Sequence, residues 1–123
     1  YSDKHGMSVT CLRIGNVGAR PLDVRRLAIW ISPEDIVQLI RIGLEHPDIR
    51  FEIMYGASDN ASSWWDNSRA RQLGYRPTGK SEAHRAHAEA EQAKIGPDPV
   101  GDLFQGGAFC SSEFTNDVKK AGA

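Results

Sequence analysis

An apolar run, Val9-Thr10-Cys11-Leu12, leads straight into a glycine-bearing loop, Gly15-Asn16-Val17-Gly18. That junction constrains the fold more than any other stretch. A run with so little polar alternation reads as a parallel strand, over residues 8–14, whose two faces are both covered. In open α/β sheets the ligand crevice lies beyond the carboxyl ends of such strands. Asn16 and the basic pair Arg25-Arg26 sit in sequence where that crevice would be. Together they make half of a polar ligand site.

The elements that follow support an α/β reading. Residues 15–24 are a loop and residues 27–31 a short extended segment. Ser32-Pro33-Glu34-Asp35 then supplies an N-cap serine, a proline at the first helical position and two acids in the first turn. A helix is predicted over 33–45, with Ile36, Ile40 and Leu44 forming its apolar stripe and Val37 and Leu39 widening it. Pro47 ends it, because proline disfavours helical geometry at His46. Residues 50–56 alternate as a second strand, with Phe51, Ile53 and Tyr55 on one face. A short helix is expected at about 67–73, closed by Gly74.

After Pro77 the character changes. Residues 81–95 are helix-prone but lack an apolar stripe. Residues 96–123 are rich in glycine and proline, with Leu103-Phe104 and Ala108-Phe109 as apolar anchors. The expected organisation is an α/β portion over 1–80, then a polar helix and an extended tail over 81–123. Tyr1–Gly6 reads as the last turn of a helix, so the chain is expected to be the carboxyl-terminal piece of a longer protein.

Composition narrows the function classes. The 123 residues carry a net charge of -1. No basic field draws in nucleic acid or an anionic membrane, and no apolar run approaches the roughly 18 residues that span a bilayer. The two cysteines, Cys11 and Cys110, are too far apart in sequence for a zinc-ligand pattern and form no disulfide framework. Cys11 is expected as a buried, reduced thiol in a cytoplasmic protein.

Each candidate constellation has a plainer counterpart. Tyr1 and Lys4 stand three residues apart at a frayed helix end, not on the one face that a Tyr/Lys proton shuttle needs. Gly15-Asn16-Val17-Gly18 is not a dinucleotide fingerprint, which requires Gly-x-Gly-x-x-Gly opening a helix. Arg25-Arg26 can clamp a carboxylate or phosphate, or lie as a solvated pair, and the sequence leaves open which of the two faces inward. Trp64-Trp65 reads as an aromatic staple of its loop more readily than as a ligand platform. His84 and His87, flanked by Glu82 and Glu89, read as solvated helix residues, with no metal ligand set.

Several of these stretches, taken together, resemble a known family. They are Leu12–Asn16, Arg25–Ser32, Tyr55–Asn60, Trp64-Trp65-Asp66-Asn67-Ser68, Leu73-Gly74-Tyr75-Arg76-Pro77 and Phe104-Gln105-Gly106-Gly107. Across residues 1–77 and 104–109 the chain resembles the carboxyl-terminal half of the extended short-chain dehydrogenase/reductase family, the NAD-dependent epimerase/dehydratase group. Within it, the resemblance is to uronate dehydrogenases.

The resemblance implies a Rossmann-type α/β fold contributing two or three strands, two to three helices and an irregular tail. It implies NAD as cofactor, bound mainly by an amino-terminal half. The catalytic Ser/Thr, Tyr and Lys would lie upstream of Tyr1, so no catalytic residue is expected in this chain. In such an enzyme the tyrosine takes the C1 hydroxyl proton of a cyclic sugar acid as hydride leaves for the nicotinamide. The product is an aldarolactone. Arg25 matches the arginine that holds the uronate carboxylate. Asn16 stands where the family places a substrate-contacting serine. It donates and accepts hydrogen bonds, but it is longer. The loop Gly18–Asp23 departs from the Pro/Glu-rich loop of the family. A homo-oligomer is implied for the full-length enzyme. Two other readings follow from particular features: a sugar or nucleotide-sugar epimerase/dehydratase, from Asn16, and a non-catalytic interaction module, from the unpatterned 81–123 segment.

Overall fold

The computed structural model describes residues 1–120. The elements run α1 (Ser2–His5), β1 (Val9–Ile14), β2 (Asn16–Val17), β3 (Trp30–Ile31), α2 (Pro33–Glu45), β4 (Phe51–Gly56), α3 (Ser68–Gln72), α4 (Arg85–Ile95) and α5 (Ala108–Ser111). Single 3-10 turns lie at Arg25–Leu27 and Ser81–His84. The expected α/β architecture is present, with more elements than the two or three strands and helices anticipated. The extra strands are only two residues long. No helix among the described residues is long and apolar enough to cross a membrane.

β1 and β4 pair in parallel, from Val9 opposite Phe51 to Ile14 opposite Gly56. β2 and β3 form a second parallel pair beyond the carboxyl end of β1, with Asn16 opposite Trp30. The predicted loop over 15–24 therefore begins with a short strand. The segment 27–31 also differs from its expectation. Leu27 closes a 3-10 turn, Ala28 stays helical at φ -74°, and only Trp30–Ile31 is extended. The Leu27 and Ala28 amides bond back to the Val24 and Arg25 carbonyls, which draws this part of the run into a turn.

α2 begins and ends where its signals place it. Ser32 Oγ accepts the Asp35 amide at 3.1 Å, and the helix stops before His46. Its buried face is not the expected one. Ile36 and Leu39 are buried, whereas Val37, Ile40 and Leu44 are exposed. The cause is Asp35. Its carboxylate is fully buried, so the inward face of the helix is rotated toward 35, 36 and 39. Ile36 and Leu39 join Ile31, Ile49, Met54, Leu73 and Tyr75 in one core. Burying each such side chain contributes about 1.5–3 kcal/mol.

The second face of the β1–β4 pair stays open among the described residues. Phe51 and Ile53 are exposed, and Cys11, expected as a buried thiol, is exposed beside them. The reason is geometric: Cys11 shares its face with Phe51 and Ile53, and α2 packs on the opposite one, which carries Met54.

Asp35 also joins three stretches that are distant in sequence. Oδ2 accepts the Ser58 hydroxyl at 2.5 Å and the Gly79 amide at 2.9 Å. Oδ1 accepts the Thr78 amide at 2.9 Å and the Gln38 side-chain amide at 3.3 Å. A second polar node lies alongside. Asn60 Nδ2 donates to the Trp30 carbonyl at 2.7 Å, Asn60 Oδ1 accepts the Ser81 amide at 3.2 Å, and Ser81 Oγ donates to the Leu27 carbonyl at 2.6 Å. Ser58 and Asn60, which read in sequence as turn residues, are thus buried partners of β3.

The carboxyl-terminal segment departs from the extended tail expected of it. Residues 96–120 fold as successive turns and one short helix. Leu103 and Phe109, named as anchors, are exposed, Phe109 at 92%. Hydrogen bonds to the chain's own carbonyls hold this segment, as described below. The last three tail positions, Gly122 among them, lie outside the described residues.

Two stability predictions arise here. Asp35→Ala leaves four buried or half-buried donors without their acceptor and should cost about 3 kcal/mol or more, read as a lowered urea midpoint. Tyr75 is buried and donates its hydroxyl to the Ala57 carbonyl at 2.8 Å. Burial first, and the nearby Asp35 charge second, push its phenol well above the ordinary range. The folded state therefore favours the protonated phenol. Stability from this group is present below the unfolded value of about 10 and declines as pH rises above it. Tyr75→Phe should flatten that decline in alkaline thermal melts, while costing about 1 kcal/mol at neutral pH for the lost hydrogen bond.

Candidate functional site

The site is built where β1 runs out. Past Ile14 and Gly15, a cavity of about 660 Å³ opens between the 3-10 turn at Arg25–Leu27, the aromatic loop and the carboxyl-terminal turns. Ile14, Arg25, Arg26, Trp65, Gln105 and Gly107 are among its lining residues. A cavity beyond the carboxyl end of a parallel strand is where an open α/β sheet places its ligand.

The two arginines have different tasks. Asp23 takes Arg26: its Oδ1 accepts the Arg26 amide at 2.9 Å and its Oδ2 pairs with Arg26 Nη1. Asp23 is 6% exposed, so this pair shapes the turn from inside. Arg25 points the other way, into the carboxyl-terminal turns. Its Nε donates to the Gly101 carbonyl at 3.2 Å, and Nη2 donates to the Phe104 carbonyl at 3.0 Å and to that of Gln105. The Trp64 ring centroid lies 5.6 Å from its guanidinium carbon. Nη1 donates to no acceptor among the described residues. Both arginines line the cavity; what separates them is that Arg26 is ion-paired to Asp23 through Nη1, whereas Arg25 is fixed by neutral carbonyls and carries no ion pair among the described residues.

Asn16 is placed differently. Its backbone amide donates to the Ile29 carbonyl at 3.1 Å in the β2–β3 pair. The side chain does not line the cavity, although Ile14 and Gly15 immediately before it do. Its Oδ1 is sheltered from solvent and has no hydrogen-bond partner among the described residues. The structure thus brings Arg25 to the cavity and leaves Asn16 at its edge.

The tryptophan pair links loop to tail. Trp65 stacks on Tyr55 of β4, with centroids 5.1 Å apart at 22°, and its indole N–H donates to Gln105 Oε1 at 3.2 Å. Trp64 stands edge-on to it at 6.5 Å and holds Arg25. Asn67 fastens this loop to β4: its side chain accepts the Tyr55 amide at 3.1 Å and donates to the Tyr55 carbonyl at 2.7 Å. His84 packs edge-on against Trp30 at 5.2 Å and is not among the residues lining the cavity.

Sequence reasoning missed Asp23, Asp98 and Gln105. Asp98 organises the turn that receives Arg25. Its Oδ1 accepts the Ser111 hydroxyl at 2.5 Å and the Gly101 amide at 2.9 Å, and these bonds hold its carboxyl below the usual range. The Asp98-x-x-Gly101 spacing was a readable turn signal. Asp23, three residues before Arg26, was readable as the partner of a local turn. Gln105 was visible only as part of the Phe104-Gln105-Gly106-Gly107 stretch, and its bond to Trp65, forty residues away in sequence, had no local signal.

A pyrophosphate needs free backbone amides at the mouth of a helix. α2 is the helix that directly follows a strand, and it opens on Pro33, which has no N–H, and on an Asp35 amide already taken by Ser32. Glu34 and Asp35 add negative charge there. The described residues do not fit a dinucleotide pyrophosphate.

No protein-family model matches the chain. A uronate dehydrogenase from Pseudomonas putida is 45% identical over 109 residues, which span 89% of this chain and 40% of that protein. The crystal structure of uronate dehydrogenase from Agrobacterium tumefaciens superposes with a TM-score of 0.78 at 34% identity, covering 96% of this chain and 43% of that one. A mutant of the same enzyme, complexed with NAD, superposes equally well at 0.78. Glucuronic acid dehydrogenase from Chromohalobacter salexigens gives 0.78 at 32% identity, over 98% of this chain and 44% of that one. The chain spans about two fifths of the length of the curated relatives it matches. In sequence and in fold, the chain is similar to the carboxyl-terminal portion of uronate dehydrogenases, which are NAD-dependent oxidoreductases.

Proposed function

We propose that this chain is the substrate-side portion of an NAD-dependent uronate dehydrogenase, which oxidises a hexuronic acid at C1 to its aldarolactone. The observation that carries the reading is Arg25, set in a cavity beyond the carboxyl end of β1 with Nη1 unpaired among the described residues. A fixed guanidinium is suited to a sugar carboxylate, since charge-assisted bonds to carboxylate are short and directional. Asn16 serves as the second polar contact, for a sugar hydroxyl, from the edge of the same cavity.

Residues 1–80 are read as the α/β portion of this unit and residues 81–123 as a second segment, whose described part, 81–120, bonds to Arg25 and Trp65 of the first. The dinucleotide site and the proton-transferring residues belong to a portion not represented here. The open face carrying Cys11, Phe51 and Ile53 supports that view, because such a face suits further covering elements. The complete enzyme is a cytoplasmic homo-oligomer in this reading, without nucleic-acid or membrane partners.

The test uses the complete reading frame carrying this segment, with NAD⁺ and glucuronate or galacturonate, followed by NADH absorbance. Arg25→Ala should raise KM for the uronate about 10- to 100-fold, the worth of one hydrogen bond to a charged group, with kcat changed much less. Arg26→Ala should leave KM within about twofold, because its partner Asp23 is internal. No NADH from either uronate, with turnover of a neutral or nucleotide-linked sugar instead, would sink the substrate assignment in favour of an epimerase/dehydratase-type relative. A KM change with Arg26→Ala alone would show that the wrong arginine has been chosen.

A further inference from the structure

Arginine recognises a carboxylate most firmly through a two-nitrogen edge, either Nε with Nη2 or Nη1 with Nη2. In this chain both edges are spent. Nε is on Gly101 and both Nη2 donors are on Phe104 and Gln105, so the side-on edge faces the carboxyl-terminal turns and the end-on edge has lost one of its two nitrogens. The ring of Trp64 covers a face of the guanidinium at 5.6 Å. Gly107 closes the arrangement from another side. It sits at φ +60°, and a Cβ there would lie 2.9 Å from both Cζ and Nη1 of Arg25. Any side chain at 107 would displace the guanidinium as well as strain the backbone.

From this we infer that Trp64 and the 101–107 turns are the positioning elements of Arg25, presenting one nitrogen, Nη1, to the substrate carboxylate. The inference rests on the carboxylate role given to Arg25 above. It assigns the carboxyl-terminal segment a part in substrate binding. It also sets the recognition as single-ended: the carboxylate is held at one oxygen by an arginine that three backbone carbonyls and an indole keep from turning. Those carbonyls lie more than 75 residues away from Arg25 in sequence. The guanidinium is thereby fixed through neutral carbonyls, while the Asp98 carboxylate lies near enough to feel its charge. Asp98 contributes indirectly, by accepting the backbone amide of Gly101, the residue whose carbonyl accepts Arg25 Nε.

The experiment compares Trp64→Ala, Trp64→Phe and Gly107→Ala with the parent in the complete protein. Trp64 is 44% exposed, so its truncation leaves the core intact, and melting temperature serves as the check on folding. Trp64→Ala and Gly107→Ala should each raise KM for glucuronate by about tenfold with kcat within about twofold, and Trp64→Phe should recover most of the loss by restoring an aromatic face. A purely structural role would instead lower kcat together with the melting temperature, and that result overturns the inference, as does an unchanged KM.

A second readout stands apart from activity. Phenylglyoxal labelling of Arg25, followed by mass spectrometry, should be at least about threefold faster in Trp64→Ala and Gly107→Ala, because a guanidinium released from its partners is freer to react. Equal labelling rates overturn the positioning claim. Faster labelling in a protein that oxidises no uronate would retain the positioning of Arg25 and reject only the substrate reading.

Discussion

The structure depends on one buried carboxylate. Asp35 sits in the first turn of α2 with no exposure to solvent, and the loops after β4 and after Pro77 both close on it. A buried carboxylate is costly unless its oxygens are satisfied. Here each oxygen has at least two donors, so the desolvation cost is offset and the geometry is specified. Gly79 shows how close the packing is: a Cβ at that position would lie 2.9 Å from Asp35 Oδ2 and 2.7 Å from Ser58 Oγ. The helix cannot rotate to bury Ile40 and Leu44 without tearing this node open.

That constraint reaches the cavity through β3. Ser58 and Asn60 bond the Trp30 carbonyl, and Asn60 and Ser81 secure the far segment to the turn at Leu27. The turn in turn carries Asp23, Arg25 and Arg26. Asp23 neutralises Arg26 locally and leaves Arg25 as the cation available to the carboxyl-terminal turns. Fold and site are therefore not separable: the polar node that orients α2 also sets the strand from whose preceding turn Arg25 projects.

The carboxyl-terminal segment illustrates a different kind of stability. It has few buried apolar side chains, and Leu103 and Phe109 face outward. Its attachment comes from Arg25 to three carbonyls, from Gln105 to Trp65 and from Asp98 to its own turn. Hydrogen bonds of this sort contribute about 1 kcal/mol each, rather more where a charge takes part. Arg25 is thus one of several polar contacts that fix this segment, alongside Trp65–Gln105 and the Asp98 turn.

Much was legible in the chain itself. The N-cap, proline and acids at 32–35 determined where α2 starts, and Pro47 where it ends, because these signals act over a single turn. The β1 and β4 runs and the Gly74 stop are local in the same sense. Arg25 was legible as a candidate only as one of a pair, and the choice between the two came from Asp23 and from carbonyls more than 75 residues downstream. The inward face of α2, the exposure of Cys11 and the folding of residues 96–120 into turns were decided by tertiary structure alone. Each depends on which groups meet across long sequence separations: a carboxylate finding Ser58, Thr78 and Gly79, a strand face left without a cover among the described residues, and backbone carbonyls finding a guanidinium. Periodicity can mark a face as apolar, but hydrogen-bond satisfaction inside the folded chain decides which face turns inward.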